Sequence, residues 1–179
     1  MSYYNFNNTL DKLNKIIEEE VGKSIEFNLH FIHYLHFKTG MIYIEQKEFS
    51  SAIEHLRISV KSPIFTIHIS ALTQLAIVYE SLNDHQAFLQ CYINIHQDIS
   101  RYIVTNRKLD VSEKNDLYKI KTKTLLKLAS IYLKSKDIER TLQYLSNILD
   151  YDPTNTDALQ LYENISLSQT TNSLDSLFK

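Results

Sequence analysis

The sequence predicts an all-α chain, and three observations carry that expectation. The 179 residues include two glycines and two prolines, too few for the turns that a sheet protein places between its strands. Apolar residues recur three to four apart along most of the chain, the period of a helix with one buried face. A small residue followed three positions later by tyrosine returns as Gly40/Tyr43, Ala76/Tyr79 and Ala129/Tyr132, as a repeated helical unit would require.

The elements follow in order. Leu10, Leu13, Ile17 and Val21 mark a first amphipathic helix, with Gly22 as its stop and Ser24, Glu26 and Phe27 opening a second that runs to about Gln46. Phe49, Ala52, Ile53, Leu56 and Val60 share one face of a third, about 48–61, which Ser62-Pro63 ends. A fourth covers about 65–81 with Leu72, Leu75, Ala76 and Tyr79. A fifth starts near Asp84, and its stripe of Phe88, Tyr92, Ile95, Ile99 and Tyr102 makes it long. The polar stretch "NRKLDVSEKND" is the one extended break. Asp110 and Glu113 have the spacing of a capping box and start a sixth helix near Val111. "KSKD" leads into a seventh, about 138–150. Pro153 opens an eighth, about 154–168, and the residues 169–179 read as a flexible tail.

Three segments align in this pattern. They are "LHFKTGMIYIEQKEFSSAIEHLRISV", "LTQLAIVYESLNDHQAFLQCYINI" and "LLKLASIYLKSKDIERTLQYLSNILDYDP". Each resembles the tetratricopeptide repeat, a helix–turn–helix unit, and together they span about residues 30–168. The small residue lets the two helices of a unit approach, and the tyrosine fills the space beside it. Gly40 to Ala76 is 36 residues and Ala76 to Ala129 is 53, so the third spacing reads as an elongated helix pair. The second unit carries Phe88 where the family has alanine, and His36, Leu72 and Leu125 stand in the place of its tryptophan. The resemblance implies a right-handed α-solenoid of about three repeats, near 33–66, 69–102 and 122–155. A segment 1–29 holding the N-terminal helix precedes them, and a capping helix at 154–168 follows.

Composition narrows the function. With 44% hydrophobic and 22% charged residues the chain is ordinary for a globular protein. A formal charge of −2 offers no basic excess for nucleic acid. One cysteine, Cys91, forbids an internal disulfide framework. No signal peptide and no apolar run long enough for a membrane span are visible, so an intracellular, cytoplasmic chain is expected. The N-x-S/T triplets at Asn7 and Asn164 read as chance.

Candidate chemistry is sparse. His30, His33 and His36 recur every third residue and fan over about 120° of one helix. Adjacent pairs could share a metal, but in the repeat register His36 faces the partner helix, and no carboxylate lies within the run. Structural histidines are therefore expected, with no metal and no cofactor, and a metal-dependent enzyme is the weakest alternative. Cys91 lies among Phe88, Leu89, Tyr92 and Ile95, a buried thiol rather than a nucleophile. The basic, mixed-sign stretch 106–123 reads as a solvated loop that could meet an acidic partner.

The resemblance points to a groove instead. The positions that line it in the family correspond to Tyr34, Phe37, Met41, Ile44 and Glu45, then Thr73, Ile77 and Glu80, then Leu126, Ser130, Leu133 and Lys134. Phe37, Met41, Thr73 and Ile77 stand where a carboxylate clamp would need lysine and asparagine, so an apolar peptide or amphipathic helix is the expected ligand. The N-terminal helix folded over this face is the competing use of the same residues. The expected role is non-enzymatic: an adaptor or assembly subunit, with another protein as partner and membership of a larger complex. A chaperone for a secreted or membrane-inserted protein and a peptide-sensing regulator are the alternatives.

Overall fold

The computed structural model describes residues 3–21 and 27–177. Among them are eight helices and no strand: α1 (Tyr3–Val21), α2 (Phe27–Glu45), α3 (Phe49–Ser59), α4 (Phe65–Ser81), α5 (His85–Thr105), α6 (Val111–Lys134), α7 (Ile138–Leu149) and α8 (Thr156–Leu177). The expected all-α class and the helix order hold. Gly22 as a stop and Ser24 and Glu26 as a start lie outside the described residues. Two boundaries differ from expectation. α1 begins at Tyr3, well before Leu10, and α8 continues to Leu177, through most of the segment read as a tail.

The chain divides into two compact units, Met1–Asn94 and Ile95–Lys179, and the division falls within α5. In the first unit α1 and α3 pack against α2, and α4 packs against both α2 and α3. Leu10 and Ile17, two turns apart on α1, are buried among its described side chains. The α2–α3 seam is close: a Cβ built on Gly40 would lie 2.8 Å from Leu56 Cγ and 3.4 Å from the Ala52 carbonyl. Both of those neighbours are fully buried. A glycine here is a packing requirement, with the backbone in its ordinary helical conformation.

In the second unit α7 packs on α6 and α8 on α7. Thr124, Leu125, Leu128, Ala129 and Tyr132 form the buried face of α6, met by Thr141, Leu145 and Ile148 of α7. Among the described side chains of α8, Ala158 and Ile165 are buried. The capping box is present. The Glu113 amide donates to Asp110 Oδ1 at 2.8 Å and the Asp110 amide to Glu113 Oε2 at 2.9 Å.

One local geometry repeats three times. Lys47, Asn83 and Lys136, each the second residue past the end of α2, α4 and α6, adopt positive φ of 62°, 57° and 61°. Their amides bond the carbonyls of Ile44, Glu80 and Leu133. The following amides of Glu48, Asp84 and Asp137 reach back to Tyr43, Tyr79 and Tyr132, each at 2.9 Å. This pair of bonds is the Schellman closure of a helix end. The next helix then starts at once: Asp84 Oδ1 accepts from the Ala87 amide and Asp137 Oδ1 from that of Arg140. The tyrosine common to the three segments is thus also the residue whose carbonyl closes each turn.

Candidate functional site

The open arc of α2 is set by its buried one. His33, Leu35, His36, Thr39 and Gly40 are buried against neighbouring helices. The opposite arc carries Phe31, Tyr34, Lys38 and Glu45, exposed, with Phe37 and Met41 half-buried between them. Ile44 is half-buried at its edge. Phe31 is 45% and Tyr34 42% exposed with α1 in place, so α1 lies against α2 without closing off these two rings. Lys38 Nζ lies 5.3 Å from the Tyr34 ring centre and 5.9 Å from that of Phe37. The ammonium is held over the aromatic pair and keeps the surface partly wet.

α4, packed beside α2, has its own open arc. Ile77 is 42% exposed, next to exposed Glu80 and half-buried Thr73. The Thr73 hydroxyl donates to the Ile69 carbonyl at 2.8 Å. The structure therefore puts the first two sets of predicted residues on neighbouring helices of the first unit.

The third set belongs to the second unit. Leu126 and Leu133 are half-buried and Ser130 and Lys134 exposed on α6, and the Ser130 hydroxyl is occupied by the Leu126 carbonyl. Leu126 also forms part of a cleft of about 550 Å³ with Tyr118, Thr122 and Lys123 of α6 and Tyr151 and Asn155 of the turn before α8. The Tyr118 and Tyr151 rings stack at 4.7 Å. The Tyr151 hydroxyl is 3.0 Å from Thr122 Oγ1, and burial raises its pKa above the usual tyrosine range. Sequence reasoning missed this cleft. Its available signal was the i, i+3, i+4, i+7 polar stripe of Asn115, Tyr118, Lys119 and Thr122, in the stretch 106–123 expected as a solvated loop and occupied from Val111 onward by α6.

The histidine run does not converge. His30 is exposed while His33 and His36 are buried. His36 Nδ1 instead lies 3.0 Å from Nδ1 of His55 on α3, with ring centres 4.9 Å apart. The ring of Tyr43 lies 5.4 Å from that of His55. Burial, with His55 and then His33 as like-charged neighbours, pushes the His36 pKa down to about 4. Among the described residues no three His, Cys, Asp or Glu side chains come together in a way that could hold a metal. Cys91 is buried, and burial pushes its thiol up to about 11 against the opposing charge of Arg57.

A family model of the tetratricopeptide repeat matches residues 123–155. The chain carries a tetratricopeptide repeat. The matched segment runs from the second half of α6 through α7 and the turn before α8, and includes the Lys136 Schellman turn. No curated protein and no solved structure matches the chain. Such repeats bury their helices against one another and present surfaces to other proteins, so a role in protein–protein interaction follows from the repeat. No described helix is long and apolar enough to cross a membrane.

Proposed function

We propose that the chain is a non-enzymatic adaptor whose first unit binds an amphipathic helix or apolar peptide along the open faces of α2 and α4. One observation carries this reading. Phe31, Tyr34 and Ile77 remain more than two-fifths exposed on packed, well-formed helices, where no folding requirement calls for large apolar side chains. Aromatic anchors of this kind supply most of the energy in protein interfaces. Phe37 and Met41 give the face depth, and Lys38, Glu45 and Glu80 give it a polar rim.

The test compares wild type with a Tyr34→Glu, Ile77→Glu double variant, both residues being exposed enough to change without unfolding the unit. Circular dichroism first checks helix content. Partners captured by wild type are then bound to the purified chain, and hydrogen exchange maps the protected segments. Protection of α2 and α4, lost in the variant, supports the reading. Protection confined to other helices, or binding undiminished in the variant, removes it.

A further inference from the structure

The α2–α3 hairpin holds two imidazoles nose to nose. His36 Nδ1 and His55 Nδ1 are 3.0 Å apart across the seam of two helices. At that distance one ring must donate its Nδ1–H to the bare Nδ1 of the other, so the pair holds one proton between the two facing nitrogens. Putting a proton on each would leave two donors and two positive charges facing each other, and the bond would become a repulsion.

The surroundings do not offset that charge. On α2 the next group is His33, buried, with its Nδ1 lacking a partner among the described residues. Tyr43 of the same helix packs on the His55 ring. On α3 Glu54 is the carboxylate that acts on His55, and burial outweighs it. The described charged residues of α1, Asp11, Lys12, Lys15, Glu18 and Glu19, are all exposed. On α4 His68 is turned to the Val60 carbonyl at 2.6 Å and Glu80 is exposed. The seam has little slack around the rings, because one turn along α2 the helices are so close that a Cβ on Gly40 would lie 2.8 Å from Leu56 Cγ.

We propose that the His36–His55 pair is an acid-sensitive latch that parts α2 from α3 when both rings are protonated, so that the chain releases its partner in mildly acidic surroundings. The release rests on the reading of the α2 face as the binding face. The latch itself is a property of the free chain. Its test needs no partner and stands or falls separately from the Tyr34/Ile77 experiment.

The experiment is hydrogen exchange of the whole chain between about pH 7.5 and about pH 5, corrected for the intrinsic rate. Wild type is expected to exchange at least about tenfold faster in α2 and α3 at the acid end, while a His36→Leu, His55→Leu variant shows no such rise. A rise that persists in the variant, or one uniform over the chain, overturns the proposal. If the double variant fails to fold, His55→Gln replaces it, because an amide keeps a hydrogen-bonding group opposite His36 but takes up no second proton. A wild-type NMR titration adds an independent check. The two rings are expected to titrate together and below the ordinary histidine range, and independent titration at ordinary values overturns the latch.

Discussion

Adding one methyl group at Gly40 tests the close approach on which the first hairpin depends. A Cβ there would sit 2.8 Å from Leu56 Cγ and 3.0 Å from its Cδ2. Leu56 is fully buried, so the ring of neighbours around it limits how far it can move. Overpacking of this kind costs about 1–3 kcal/mol. Opposing it, alanine is about 1 kcal/mol better than glycine inside a helix. Gly40→Ala is therefore expected to lose about 1 kcal/mol net in urea denaturation followed by circular dichroism. The decisive measurement uses a Leu56→Ala background, itself about 3 kcal/mol less stable. With the leucine side chain gone the clash disappears and the helix-propensity gain remains. Gly40→Ala should then stabilise by about 1 kcal/mol, a change of sign and a coupling of about 2 kcal/mol. The same effect in both backgrounds would refute the argument that Gly40 is selected by contact with Leu56.

Three further outcomes are expected. Lys136→Gly should stabilise the chain by about 0.5–1 kcal/mol in the same assay, because the lysine sits at φ 61° where glycine carries no steric cost; a loss of stability would mean that its side chain packs usefully on the turn. Thr39→Val should stabilise by about 1 kcal/mol, since the fully buried hydroxyl has no hydrogen-bond partner among the described residues; a destabilised variant would reveal a partner such as an ordered water. Cys91, its thiol held up to about 11 by burial, should react with iodoacetamide at neutral pH at least about a hundredfold more slowly than an exposed cysteine, reaching the ordinary rate only in denaturant.

What could be read from the sequence was what depends on neighbours along the chain. The Asp110–Glu113 capping box is closed within three residues, so its spacing alone announced the start of α6. The need for small residues at Gly40, Ala76 and Ala129 was legible because it recurs with a tyrosine at fixed distance. Both members of the pair have local work, one at the seam and one closing the turn. The turns themselves were not legible as Schellman closures. The left-handed position is filled by Lys47, Asn83 and Lys136, and the two lysines give no sign of positive φ. Packing of the two helices holds the backbone there against the residue's own preference. The mixed pattern shows that the turn is imposed by the hairpin rather than chosen by its sequence.

The same division explains the candidate sites. Helical periodicity places Tyr34, Phe37 and Met41 on one arc of α2, and the structure leaves Tyr34 exposed there and Phe37 and Met41 half-buried, away from the buried arc of His33, His36 and Gly40. The register of the repeat also assigned His36 to the packed side. It could not supply His55, nineteen residues away on another helix, nor bring Tyr118 to Tyr151 across the second unit. Pairs of this kind are created by the crossing of two helices, and no one-dimensional pattern encodes which residues meet at a crossing. The histidine run was therefore conspicuous for the wrong reason. Its regular spacing invited a metal, whereas its chemistry lies in the one member that faces a fourth histidine outside the run. That pairing places two titratable rings inside the very hairpin whose other α2 arc carries the exposed Phe31 and Tyr34.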